Sequence, residues 1–171
     1  MLVLLPDAGP LITLAYAEAL DLLLAPGWSV QIVDMVLHEV TRNATPTSAA
    51  IGKWVTSHAL PVLPTNTKKH HLQQLTTLGS GARTANLGEI AIQEVMNGYA
   101  LNDSRTTGVF LFEDHRIASA SFLVPENCRK ISTRAFLAFL EETGALQSAL
   151  AIERRAIQNG RHFSSLRFPR S

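Results

Sequence analysis

The amino-acid sequence predicts an α/β protein, a three-layer α/β/α sandwich with a mostly parallel central sheet. Two short, wholly apolar runs, residues 2–5 and 109–112, are typical of strands buried on both faces of such a sheet. Segments with helical spacing of apolar residues alternate with the strand candidates, which favours parallel pairing. The chain has 171 residues, 46% of them hydrophobic and 17% charged, so we expect one folded domain.

The first half of the chain is predicted to contain three strands and four helices. Pro26-Gly27 ends the first helix, and Asp34 is expected to cap the second. In chain order, the elements are strand 2–5, helix 11–23, strand 29–33, helix 34–40, helix 48–58, strand 61–63 and helix 68–78.

The second half begins with a helix that Asn86 is expected to cap and whose apolar face starts at Leu87. After a polar loop, the buried strand 109–112 ends at two acidic residues. Glycines then end the last two helices. The remaining elements are strand 129–132, helix 133–143 and helix 146–159.

The charges of the chain are unevenly distributed although the net charge is only +1. From Arg116 onward the chain holds nine of the fifteen Lys and Arg residues but four of the fourteen acids. This basic third either faces phosphates or forms a solvated helix face with a frayed tail. Cys128 is the only cysteine, which excludes an intramolecular disulfide. No apolar run reaches the roughly 20 residues of a membrane span, so we expect a soluble protein, and the single cysteine favours the reducing cytoplasm.

Four acids are the candidate catalytic residues: Asp7, Glu39, Glu89 and Asp114. Asp7 and Asp114 follow the two apolar strands, and ligands of parallel sheets bind at the carboxyl ends of the strands. Each acid alone has a simpler explanation as a helix cap or a surface residue. Together they would repel one another unless a cation neutralised them, and Mg²⁺ prefers oxygen ligands.

Competing candidates are weaker. Glu113 precedes Asp114, but adjacent residues at a strand end point to opposite faces, so we prefer Asp114 for the cleft. His70 and His71 lack partners at ligand spacing and are expected on the surface. The chain has neither a Gly-x-Gly-x-x-Gly segment nor a phosphate-binding Gly-Lys-Ser/Thr loop, so no nucleotide cofactor is expected.

Four segments, in the same order along the chain, resemble the PIN-domain family. Residues 3–15 resemble its strand-Asp-helix start, and Leu-Gly-Glu-Ile-Ala-Ile at 87–92 resembles the start of a later helix. Residues 109–118 resemble its strand that ends in acids before an Arg-containing helix, and residues 130–137 its last strand and helix. The likeness covers residues 1–155, with residues 156–171 as a basic C-terminal extension of the same domain.

The resemblance implies a nuclease that cleaves single-stranded RNA with Mg²⁺ or Mn²⁺. Carried over by position, Asp7, Glu89 and Asp114 would be metal ligands, with Glu39 completing or orienting the cluster. Thr133 would hold a metal-bound water or, equally, cap a helix. Similarity to VapC-type toxins further implies an antitoxin partner and a homodimer.

Three positions depart from the family pattern. Ala8 and Gly9 replace small hydroxyl residues that often follow the first Asp, and Asn86 replaces a frequent Asp. These changes lower the polarity and negative charge of the site. They motivate an alternative, a PIN-like protein that has lost catalysis and serves as an RNA-binding or protein-interaction module. A phosphoacceptor of the receiver type is disfavoured because no Lys follows a strand opposite the acids.

Overall fold

A computed structural model describes residues 1–81, 85–102, 105–113 and 123–162 of the chain. Its central sheet has four strands in the order β2-β1-β5-β6, and every neighbouring pair is parallel. A second, two-stranded parallel sheet joins β3 and β4. The strands are β1 (Leu2–Pro6), β2 (Ser29–Val30), β3 (Ile32–Val33), β4 (Val62–Leu63), β5 (Thr107–Phe112) and β6 (Arg129–Ser132).

Seven α-helices in the described part of the chain flank the sheet, which confirms the predicted α/β/α sandwich. They are α1 (Ala8–Tyr16), α2 (Asp34–Thr41), α3 (Pro46–Ser57), α4 (Asn66–Leu78), α5 (Leu87–Asn102), α6 (Thr133–Glu142) and α7 (Ala149–Gln158). Helix α1 packs against α7, α2 packs against α5, and β5 is contacted by α1, α5 and α6. None of the described helices combines the length and apolarity of a membrane span.

The two central strands form the middle of the core, as their apolar sequences predict. Val3, Leu4 and Leu5 of β1 are completely buried, and so is Leu111 of β5. These strands lie side by side, so side chains on both faces of the sheet are covered by helices. This burial fixes the register of β1 against β5 and with it the position of the residues that follow each strand.

Two predicted elements are divided in the structure. The helix predicted over 11–23 ends at Tyr16, where the chain turns through Glu18 with a φ of 52° before a short 3₁₀ helix over Leu20–Leu23. The strand predicted over 29–33 pairs with β1 through β2 and with β4 through β3. Local apolar spacing does not reveal either change of direction, because both depend on contacts with distant segments.

We predicted that Asp34 caps α2, but Asp34 is instead the first residue of this helix. Val33 occupies the cap position. The Asp34 carboxylate instead accepts hydrogen bonds from the backbone N–H of Thr65 (3.0 Å) and from the Thr65 hydroxyl (2.7 Å). It therefore connects α2 to the start of α4.

The chain after α7 is anchored to α1. The Asn159 side-chain amide donates to the Tyr16 carbonyl at 2.7 Å, and Arg161 reaches the Thr13 hydroxyl. Gly160 allows the intervening turn with a φ of 108°, a value that side chains disfavour. The chain after α7 is therefore not frayed as far as His162. The residues beyond His162 lie outside the described part of the chain.

Candidate functional site

The candidate site lies at the carboxyl ends of β1 and β5. The backbone N–H of Asp7 donates to the carbonyl of Leu111 at 2.9 Å, which extends the pairing of the two strands by one step. The connection after β1 leads to β2 on one side, whereas β5 pairs with β1 on the other side. Ligands of parallel sheets bind at such a change in strand order. The structure therefore places Asp7 where the sequence predicted it.

Asp7 does not act as the helix cap that its position suggests. It stands at the cap position of α1, but its side chain makes no capping hydrogen bond. The residue is only 4% exposed. A buried carboxylate at the end of a parallel strand that does not cap the next helix is a candidate for a role in binding.

Glu39 approaches Asp7 at the first turn of α5. One Glu39 carboxylate oxygen, Oε1, accepts a hydrogen bond from the backbone N–H of Gly88 at 3.0 Å. A Cβ atom added to Gly88 would lie 2.7 Å from Glu39 Oε2 and 3.3 Å from Asp7 Oδ1. The two oxygens are therefore no farther apart than the sum of these distances. The missing side chain at Gly88 makes room for both carboxylates.

Glu89 follows Gly88 in the first turn of α5 and is partly buried. Asn86 precedes the helix with a φ of 58°, a left-handed conformation that Asn tolerates better than most residues, and its carbonyl accepts from Ile90 at 3.1 Å. The backbone of Asn86 thus begins the helix at the predicted place. Asp114, the fourth predicted site residue, lies outside the described residues.

The described residues only partly fit a bound divalent cation. Asp7 and Glu39 each reach the space beside Gly88 with a carboxylate oxygen, the donor type that Mg²⁺ and Mn²⁺ take. Within the described ranges, no group of three or more His, Cys, Asp or Glu side chains is arranged to hold a metal ion. A site with two protein carboxylates remains suitable for Mg²⁺, which keeps several waters when it binds to proteins.

Glu113 is part of a buried polar cluster that sequence reasoning missed. It is 3% exposed, accepts a hydrogen bond from the Thr13 hydroxyl at 2.5 Å and lies 3.6 Å from Nη2 of Arg161. Arg161 Nε donates to the same hydroxyl at 3.0 Å. The three side chains join the end of β5, the middle of α1 and the chain after α7.

Gly9 permits this cluster. A Cβ atom at Gly9 would lie 2.7 Å from Cβ of Glu113, closer than real contacts of this kind. The departure from the family pattern at this position thus has a steric reason in this chain. Glycine in the first turn of a helix was the available signal for Gly9 and Gly88, because it costs helix stability and implies a close approach.

His71 corrects a second expectation, whereas His70 is exposed as predicted. His71 is 3% exposed instead of lying on the surface, and its ring packs edge-on against His38 with centroids 5.9 Å apart. Nδ1 of His71 has no hydrogen-bond partner among the described residues. Burial lowers the pKa of His38, and electrostatic interactions with Lys68, His71 and Arg42 lower it further, while Asp34 opposes the shift. The periodicity of α4 could not reveal this pair, because His71 is covered by α2.

Thr133 is not a helix cap. Ser132 holds the cap position of α6, and its side chain accepts from the backbone N–H of Ala135 at 3.2 Å. The Thr133 hydroxyl donates to the carbonyl of Phe112 at 3.1 Å. It therefore ties α6 to the last residue of β5, at the same edge of the sheet as Asp7.

Comparisons of the chain with protein-family models, with curated proteins and with solved structures found no match. The likeness to PIN domains therefore rests on the four segments of the sequence itself.

Proposed function

We propose that this protein is a divalent-metal-dependent nuclease that hydrolyses phosphodiester bonds of single-stranded RNA. The observation that carries the proposal is the approach of the Asp7 and Glu39 carboxylates at Gly88, beside the carboxyl end of the central strands. Two carboxylates that reach the same small space beside Gly88 favour a bound cation, because the cation would offset their mutual repulsion. The resemblance of the surrounding segments to PIN domains supplies the reaction.

Asp7, Glu89 and Asp114 would hold Mg²⁺ or Mn²⁺, with Glu39 fixed by Gly88 as the residue that completes the cluster. When bound, the cation would supply a water nucleophile at neutral pH and offset charge on the phosphodiester. The carboxylates of the chain position the cation. Because a bound cation would lower the pKa of its water, that water could lose its proton to solvent, and no dedicated His or Lys base is required.

Exposed cations of the C-terminal third would attract the RNA backbone. Arg129, Lys130, Arg154 and Arg155 are exposed in the structure. Such groups bind phosphates without regard to sequence and raise the rate of association. The likeness to VapC-type toxins extends the proposal to a cytoplasmic toxin that forms a homodimer and is inhibited by an antitoxin protein.

The decisive experiment measures cleavage of single-stranded RNA with Mg²⁺, with Mn²⁺ and with a chelator. We expect metal-dependent cleavage that Asp7→Asn and Asp114→Asn each reduce by about a hundredfold or more, at least the loss seen when a residue that only orients a metal ligand is changed. Asp21→Asn is the matched control, since the Asp21 side chain is 78% exposed. Equal cleavage by all variants would indicate a contaminating nuclease and refute the proposal.

The alternative is a PIN-like module that binds RNA or protein without cleaving. Asn86 in place of an acid favours it, as do Ala8 and Gly9 in place of small hydroxyl residues. This alternative predicts RNA binding that is independent of metal and insensitive to Asp7→Asn. RNA binding without cleavage in any metal would select it over the nuclease.

A further inference from the structure

A pocket of about 320 Å³ opens beside Glu39, between α1, α2 and the chain that follows α7. Glu39 belongs to its lining and also binds Gly88 beside Asp7, so the pocket adjoins the acidic pair. Pockets for small ligands start at about this size. The position is therefore suitable for a group attached to a phosphate at the acidic site.

One wall of the pocket is apolar and carries an aromatic ring. Ile12, Tyr16 and Val40 form it. The carbonyl of Tyr16 is bound by the Asn159 amide, and the turn at Gly160 passes close to the Tyr16 ring, with 3.6 Å between Cε1 and an added Cβ. The ring thus lies against a fixed piece of backbone. Tyr16 is half-buried and lines the pocket, and an aromatic side chain in such a position can stack on any base.

The other lining groups are polar. Asn43 is exposed and presents both a donor and an acceptor, and the hydroxyls of Thr45 and Thr47 lie 3.2 Å apart beside it. Arg161 and His162 complete the lining. Arg161 is held by Thr13 and by Glu113, so its guanidinium is already in place before a ligand arrives.

We propose that this pocket receives one nucleotide of the RNA strand, with the base against Tyr16 and the phosphate near Arg161. The inference rests on the proposed nuclease function and names the part of the site that holds substrate next to the cleaved bond. An anionic phosphate near Glu39 is repelled unless a cation is present. Binding of a nucleotide should therefore strengthen when Mg²⁺ is added.

The test titrates the full-length protein with 5′-UMP and 5′-AMP, with and without Mg²⁺, and follows binding by NMR chemical shifts. Tyr16→Leu should weaken binding by about tenfold, since stacking contributes roughly 1–3 kcal/mol per base. Tyr16→Phe keeps the ring and should retain binding. Asn43→Ala should weaken binding severalfold, whereas Gln74→Ala, an exposed amide on α4, should not.

RNA cleavage by the same variants separates the two proposals. We expect Tyr16→Leu and Asn43→Ala to raise KM while kcat stays near that of the unmodified protein. Nucleotide binding that these variants weaken, in a protein without cleavage, would support the pocket and refute the nuclease. Metal-dependent cleavage with no nucleotide-induced shifts, or with equal binding and KM in every variant, would refute the pocket and leave the nuclease intact.

Discussion

Two pairs of acidic side chains in this protein lie in different surroundings. Asp34 and Glu94 accept hydrogen bonds from the first residues of α4: Asp34 from Thr65, and Glu94 from the backbone N–H of Asn66 (2.8 Å) and of Thr67 (3.0 Å). Asp7 and Glu39 instead lie close to each other across Gly88. The first pair has donors on both oxygens of each acid and holds a helix in place.

The difference shows that burial alone does not identify a functional acid. Burial raises the pKa of Glu94, but the hydrogen bonds from Asn66 and Thr67 outweigh it and leave that pKa below 4.5. Glu94 therefore stabilises the fold at neutral pH, and its contribution is lost as the pH falls below that value. An acid that faces another acid at a strand end, such as Asp7, is instead a candidate ligand for a cation.

Among the variants that test this comparison, Gly88→Ala should have the largest effect. The new Cβ would lie 2.7 Å from Glu39 Oε2, so the two carboxylates must move apart. We expect RNA cleavage to fall by about a hundredfold, a loss of the size seen when a partner of a metal ligand is removed. Thermal unfolding should change little, because Ala favours a helix over Gly.

Gly98→Ala is the matched control in the same helix. A Cβ atom at Gly98 has no neighbour within 4 Å. This variant should keep full activity and gain up to about 1 kcal/mol of stability. Equal cleavage by both variants would contradict the functional reading of the acidic pair.

Asp34→Ala tests the structural pair. It removes two hydrogen bonds to Thr65 from a carboxylate that is 8% exposed. We expect a loss of about 2–3 kcal/mol in the free energy of unfolding, measured by urea denaturation, because a buried N–H is left unpaired. The exposed Glu142→Ala should change stability by less than about 0.5 kcal/mol. An unchanged midpoint of urea unfolding for Asp34→Ala would mean that its hydrogen bonds to Thr65 do not stabilise the fold. The comparison between the two pairs of acids would then lose its basis.

Acidification should loosen the same α2–α4 contact. The pKa of His38 is lowered from 6.5 by burial, then by Lys68, His71 and Arg42, while Asp34 opposes the shift. The unfolded chain therefore binds a proton more readily, so stability is full above pH 6.5 and falls below it. We expect Tm to drop by a few degrees in this range.

His38→Gln should flatten that dependence of Tm on pH just below 6.5. His70→Gln, at an exposed position on α4, should leave it unchanged. The test is a series of thermal melts across this range. If Tm of His38→Gln still falls as the pH drops below 6.5, other groups cause the pH dependence.

The smallest effect is expected from His71→Leu. It removes a buried ring nitrogen without a hydrogen-bond partner among the described residues and keeps a side chain of similar size. We expect a gain of up to about 1 kcal/mol in unfolding free energy, since an unsatisfied buried polar group is unfavourable. Destabilisation by more than this amount would mean that the imidazole has a polar contact in solution.

Much of the fold could be predicted from local pattern. The apolar runs at 2–5 and 109–112 gave the central strands, and residues 129–132 gave β6 with its observed bounds. Helix α5 also begins where Asn86 predicted. Prediction was wrong where a distant segment decided the outcome: the break after Tyr16 and the capping role expected of Asp34.

The candidate site was only partly accessible to the same reasoning. Asp7 could be placed because the end of an apolar strand is visible in one dimension. The family resemblance implied that Glu39 joins Asp7, but residue spacing alone could not bring them together, since α2 and α5 meet through side chains far apart in sequence. Glu113 was set aside as a neighbour of Asp114, whereas its burial with Thr13 and Arg161 depends on three separate segments.

The sequence by itself determined the layered α/β architecture, because apolar periodicity and strand burial follow from neighbouring residues. It also determined that Asp7 stands at the end of β1. Only the tertiary structure decided which acids meet: the absence of side chains at Gly88 and Gly9 lets one pair of carboxylates converge and buries a third. The physical reason is that a carboxylate's role depends on the donors and charges packed around it, and packing brings those from remote parts of the chain.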